Sequence, residues 1–356
     1  MPRYSGLLHG MCGLGNNAAH PALTPLCRLD GGHIHDVPIL PLKKMKNDQA
    51  SSEIRSLFSN DNPQEVWTKA ASIICRINPD YDFSSVRATF DDIVRLFHGD
   101  YPGYCAVKTQ YHDLQHTLDV FLCAARLMHG VHVSGTRLED NEIALVAIAA
   151  LMHDTGFAQQ TGTETGSGAQ HLQMHVTRGV EFMQRYLAGQ HFPSGWSVPL
   201  ERLIYSTDLE LSFKRIHFLD ERECLLGQIV GAADLLGQMA DRLYLEKLLF
   251  LYEEFKEAGY GGYHSMHDLL RQTWGFYEMV RQRLDIELGG IHARLALHFK
   301  DWYGIERNFY MEAAEKNIAY LSKVILLDEE GSLSMLRRGG IVEKIRTQAE
   351  PDTAAQ

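Results

Sequence analysis

From Asn62 onward, apolar and polar residues alternate in the three- and four-residue rhythm of amphipathic helices. Val86, Phe90, Ile93 and Phe97 recur at that spacing. Pro63-Gln64-Glu65 suits a first helical turn with Asn62 as its N-cap. Residues 117–128 predict a second amphipathic helix. The next segment, 141–152, is nearly all Ala, Leu, Ile and Val, so it predicts a helix buried on most sides. Further helices are expected over 175–187, 199–206, 221–243, 244–257, 265–284 and 305–327, with Gly- and Pro-marked breaks between several of them. Strand-like alternation is scarce and no repeat is evident. The predicted fold class is all-α, a multi-helix bundle.

The same pattern divides the chain into three parts. Residues 1–60 are rich in Gly, Pro, Asn and isolated His, and predict a poorly ordered N-terminal extension. Residues 61–330 carry the helical domain, and 331–356 are expected to form a loose C-terminal tail. Within the extension, His33 and His35 read as solvated loop histidines, and Met45 could serve as an alternative translation start.

Composition narrows the functional classes. A hydrophobic content of 45% suffices for a large core in a chain of 356 residues. The net charge of −11 argues against duplex nucleic acid as a partner, because a phosphate backbone is held mainly by Lys and Arg. A small anionic substrate stays open, since a bound metal inverts the local field. The six cysteines are scattered with no C-x-x-C pair, which predicts reduced thiols and a cytoplasmic location. No run approaches the ~18 apolar residues of a membrane span, so no membrane association is expected.

Candidate chemistry concentrates in Tyr111-His112-Asp113-Leu114-Gln115-His116 and in His153-Asp154, which follows the apolar run. His112 and His116 at i, i+4 would share one helix face. The His-Asp doublet adds an imidazole and a carboxylate, a donor mixture that divalent metals accept. Asp234, in Gly231-Ala232-Ala233-Asp234-Leu235-Leu236, is the candidate for a further carboxylate.

These stretches resemble the HD superfamily of metal-dependent phosphohydrolases, and most closely the catalytic domain of class I cyclic-nucleotide phosphodiesterases. Residues 111–120 are similar to that family's Y-H-N-x-x-H-A-x-D-V, and Leu151-Met152-His153-Asp154 matches its His-Asp doublet. Ser206-Thr207-Asp208-Leu209 is similar to its A-T-D-M segment, and Ala232-Ala233-Asp234-Leu235 to its A-A-D-L/I segment. All four occur in the family's order, over roughly residues 60–325. The sequence departs where the family writes H-D-x-x-H: Phe157 stands at the second histidine. No counterpart of the purine-gripping glutamine is evident.

The resemblance implies an HD/phosphodiesterase-like helical bundle holding one or two divalent ions (Zn, Mn, Mg or Fe) on His116, His153, Asp154 and Asp234. It implies metal-hydroxide attack on a phosphodiester, a cyclic nucleotide or related small phosphoester, with Asp154 in the catalytic centre and His112 as general acid. His171 and His175 form a second i, i+4 pair and are candidates for a second metal or for substrate. Asp119 is expected to orient a ligating histidine and Asp208 to form a wall. The partner expected is a small phosphorylated substrate, a nucleotide above all, and homo-oligomerisation is left open. Two other readings remain, a di-iron oxygenase on the HD fold and a non-catalytic metal-containing ligand-binding module.

Overall fold

A computed structural model describes residues 62–190 and 192–349. The extension expected over 1–60, with His33, His35 and Met45, lies outside the described residues. The helices are α1 (Pro63–Ile77), α2 (Ser84–His98), α3 (Leu114–Val133), α4 (Asp140–Met152), α5 (His175–Ala188), α6 (Ser197–Tyr205) and α7 (Glu221–Met239). They continue with α8 (Tyr244–Glu257), α9 (Met266–Gln282), α10 (Arg294–Tyr303), α11 (Phe309–Val324), α12 (Glu329–Met335) and α13 (Ile341–Ala349). Among the described residues there is no β-strand, only one isolated bridge between Tyr104 and Gln160. The all-α class predicted from periodicity is the class observed.

The bundle is organised around α4. Every residue from Ile143 to Met152 is buried, because α2, α3, α6 and α7 surround it. Each large aliphatic side chain there contributes about 1.5–3 kcal/mol of transfer free energy. Glu139 and Glu142 close a capping box at its start, which satisfies otherwise orphaned amides. The partner of α4, α3, is flanked on its other sides by α1, α7 and α10. Gly130 permits that closeness: a Cβ there would lie 2.0 Å from the Arg294 carbonyl oxygen.

Several details differ from the pattern-based expectation. The helix expected over 221–243 stops at Met239, and the break is held by Asn317, whose amide donates to the carbonyls of Met239 and Asp241 at 3.0 and 2.9 Å. Helix α10 was not expected; it fills the gap between two predicted helices. The loose tail expected from 331 is corrected as well. Ser332 donates to the Val324 carbonyl at 2.9 Å, and Leu336, Ile341, Val342 and Ile345 are buried in the core, so α12 and α13 are packed elements. Cys105, Cys123 and Cys224 are free thiols. No helix among the described residues is long and apolar enough to cross a membrane.

Away from the candidate site, α3 and α10 bury a histidine pair. His129 and His298 approach to 3.1 Å between their Nδ1 atoms, beside Asp301, His132 and Arg76. Burial drives the pKa of His129 down to about 4, with Asp301 opposing and His132 and Arg76 reinforcing. Burial, with His129 and Arg126 adding, drives that of His298 well below 6.5. Both rings are neutral in the folded state and protonate more readily when unfolded. Their stabilisation is therefore complete above pH 6.5 and lost as pH falls toward 4. Urea midpoints measured across that window should fall with pH, and less steeply in His298→Gln; an unchanged slope in the variant would locate the acid sensitivity elsewhere.

Candidate metal and catalytic site

Three helices deliver the donors. Asp113 caps α3, its Oδ1 accepting from the His116 amide at 2.8 Å, which fixes His116 in the first turn. The C-cap of α4 is His153, whose Nδ1–H donates to the Ala150 carbonyl at 2.9 Å. In the neutral ring that bond leaves Nε2 as the lone-pair nitrogen. Asp234 projects from α7. His116, His153 and Asp234 converge so that one donor atom from each lies within 4.8 Å of the others. The His116 and His153 Nε2 atoms are 3.2 Å apart, and Asp234 Oδ1 is 3.2 Å from the first and 3.5 Å from the second. Asp154 Oδ2 is 3.4 and 3.2 Å from the same two nitrogens. The four residues carried over as ligands thus meet at one point.

His112 arrives differently from the expectation. Helix α3 begins at Leu114, so His112 and His116 do not share a helical face; His112 lies in the turn before the cap. Its position comes from α8 instead. Glu254 Oε2 accepts from His112 Nδ1 at 2.7 Å, while Oε1 accepts from the amides of Gln110 and Tyr111 at 2.8 and 2.7 Å. One buried carboxylate therefore holds both the backbone and the ring. Sequence reading missed Glu254. The available signal was its place four residues after Phe250, on the apolar face of α8.

Phe157, at the position of the missing histidine, is buried and in ring contact with both neighbours, 4.6 Å from His112 and 4.8 Å from His175, each at 19°. His175 Nδ1–H donates to the Leu172 carbonyl at 2.5 Å, and its Nε2 is 3.8 Å from Asp154 Oδ1. A close approach makes this possible. A Cβ on Gly156 would lie 1.8 Å from the His175 carbonyl oxygen, so only glycine lets α5 start against the doublet turn. His171 is corrected: it lies in the 3₁₀ turn Ala169–Met174 and lines a different cavity. Asp208 lines the wall of the main cavity, with its Oδ1 accepting from the Glu210 amide at 2.8 Å. Asp119 shares a small cavity with His116, but His116 Nδ1 has no hydrogen-bond partner, so the expected orienting bond is not made.

The electrostatics follow from burial against clustered charge. Burial pushes the His153 pKa down, yet Asp154 and Asp234 outweigh it and raise it to about 9. Burial opposes ionisation of Asp154, but His153, with His112 and His116, holds its carboxyl well below the usual range. For His112, burial is again outweighed, chiefly by Glu254, and the pKa is raised. His175 goes the other way: burial lowers its pKa more than Asp154 raises it.

The cluster borders one cavity of ≈ 390 Å³, within the size range of small-molecule sites. Tyr111, His112, His116, Asp154, His175 and Asp234 form its polar end. Phe255, Tyr260, Tyr263 and Phe276 contribute an aromatic wall, in which Phe255 and Tyr263 stack at 5.2 Å.

Residues 161–285 match the model of the Npun_R2479-like family. The match spans α5 to α9, including His175, Asp208, Asp234 and Glu254, and ends before it reaches His112, His116, His153 or Asp154 on the N-terminal side. No curated protein matches the chain.

Gly156→Ala should force α5 away from the doublet turn and destabilise the fold by about 1–3 kcal/mol, the range of an overpacked core. Urea unfolding measures it; wild-type stability in the variant would show that α5 is not held by this contact.

Proposed function

We propose that the protein is a metal-dependent phosphohydrolase acting on a small phosphoester, most simply a phosphodiester with a flat ring such as a nucleotide. The observation that carries this reading is the meeting, at the edge of one cavity, of a four-residue His/Asp donor cluster, three of whose members line it, and a carboxylate-oriented imidazole.

The donor set fits a divalent cation. Asp154 Oδ2 is buried without a hydrogen-bond partner, a costly state for a carboxylate oxygen unless a cation takes it. The raised pKa of His153 reports the same demand for positive charge. His116, His153, Asp154 and Asp234 would hold the ion; two imidazoles and two carboxylates suit Zn, Mn or Fe more readily than Mg. A bound ion there would supply Lewis acidity toward a phosphoryl oxygen and lower the pKa of water.

The chain's own groups supply the rest. His112, protonated and oriented by Glu254, donates its proton to the leaving alkoxide. Glu254 sets the ring's tautomer and direction through Nδ1, leaving Nε2–H for the substrate. His175, beside the second oxygen of Asp154, is the group available to a second ion or to the substrate. The aromatic wall offers stacking to the non-phosphoryl part. This assignment accords with the resemblance to HD-type phosphodiesterases.

Five substitutions test it. Asp154→Ala and Asp234→Ala should abolish activity and bound metal together, whereas His171→Ala should keep both; metal analysis after purification without chelator decides, and full occupancy in Asp154→Ala contradicts the ligand assignment. His112→Ala should retain metal and slow turnover ~10²–10⁴-fold on esters with poor leaving groups, with a smaller loss on nitrophenyl esters. Equal losses on both would make His112 a positioning group. Because the His112 pKa is raised above 6.5, kcat/KM should hold at lower pH and fall as pH rises through that folded value. Glu254→Gln should move this limb to lower pH, and an unmoved limb would separate Glu254 from the proton donor.

A further inference from the structure

A second cavity, of ≈ 360 Å³, borders the turn that follows the His-Asp doublet, through Thr155, Gly156 and Ala158, and shares no lining residue with the first. Its chemistry is the reverse of the first. Helix α5 places Arg178, Glu181 and Arg185 along one face at i, i+3 and i+7, and all three line the cavity with Tyr104, Gln159 and His171. The first cavity has no Lys or Arg among its described lining residues.

The two guanidinium groups are under-used. Arg178 donates through Nε to the Gly156 carbonyl at 2.7 Å and through Nη2 to the Ala158 carbonyl at 2.9 Å. Its Nη1 makes no hydrogen bond to the described residues. Arg185 has only a 3.5 Å contact to the Tyr104 hydroxyl and a 3.9 Å approach to Glu181, and an exposed pair that long contributes little. Burial lowers the pKa of Arg178, Glu181 opposes, and the neighbouring Arg185 adds to the lowering. Two positive forks with one loosely held carboxylate form an anion-attracting cleft on a chain whose net charge is −11.

We propose that this cleft binds a small phosphate-class anion, held by Nη1 of Arg178 and the guanidinium of Arg185, and that binding stiffens the turn carrying Phe157. Arg178 transmits the effect. Its Nε and Nη2 stay on the carbonyls flanking Phe157 while Nη1 engages the anion, which fixes the guanidinium and with it the ring that contacts His112 and His175. The binding claim does not depend on the hydrolase reading.

Calorimetric titration of inorganic phosphate into the full chain, with and without chelator, tests it. Binding should persist in chelator, which separates it from any phosphate held on a metal, and should weaken about tenfold or more in Arg185→Glu, the loss of one charge-assisted contact. Arg185 is exposed, so this variant leaves the core intact. Arg178→Lys, which keeps charge but loses the fork, should also bind more weakly. Amide exchange at Phe157 and Ala158 should slow when phosphate is bound. Phenyl phosphate as a second probe distinguishes the ligand's source: tighter binding than the free ion assigns an organic ester, equal binding assigns the ion, and either supports the site. No binding, binding abolished by chelator, or binding unchanged in Arg185→Glu overturns the proposal.

Discussion

Burying one carboxylate and two imidazoles at one junction of helices, against a second, half-buried carboxylate, is the constraint around which this molecule is built. Asp154 and His153 are each almost wholly inaccessible, and isolated ionised groups in such a place would cost several kcal/mol. The chain offsets that cost by mutual contact, every donor lying 3.2–3.5 Å from at least one of the two imidazole nitrogens. Contact alone leaves an oxygen of Asp154 unsatisfied. The rigid apolar helix α4, packed on most sides, holds the doublet in this unfavourable position, and the surrounding core supplies the stability that makes it tolerable.

A second layer of organisation comes from α8. Glu254 grips the turn before α3 through two amides and one imidazole, and Glu257, one turn later, accepts from the Ser167 amide at 2.7 Å. One face of one helix therefore ties together the His112 turn and the glycine-rich loop that leads to His175. The wall opposite is held comparably by Arg283, in the π-turn Arg283–Glu287, whose guanidinium donates to the carbonyls of Ser206, Asp208 and Leu211. Burying a guanidinium among carbonyls fixes the Asp208 segment against the cavity without presenting a positive charge to its interior.

What could be read from sequence follows from the range of the interactions involved. Helix positions such as 141–152 were legible because their apolar pattern is local and continuous. The convergence of His116, His153, Asp154 and Asp234 was legible through motif order, which preserves a long-range geometry that no periodicity encodes. Glu254 was not, because a glutamate in Glu253-Glu254 looks solvated until the turn it binds, some 140 residues earlier, is brought against it. The i, i+4 spacing of His112 and His116 misled in the opposite sense: Asp113 caps the helix between them, so spacing implied a shared face that capping removes. His171 and His175 part for a similar reason, one lying in a 3₁₀ turn and the other opening α5. The packing of α12 and α13 was hidden by their shortness.

The central claim is that the buried cluster is a cation site built from nitrogen and oxygen donors. X-ray absorption at the metal edge, on protein purified without chelator, tests it most directly. The account predicts one tightly held ion with two imidazole nitrogens and carboxylate or water oxygens at about 2.0–2.2 Å, a signal lost in His116→Ala. Absence of any bound ion, or a sulfur-containing coordination shell that His116→Ala leaves unchanged, would contradict it.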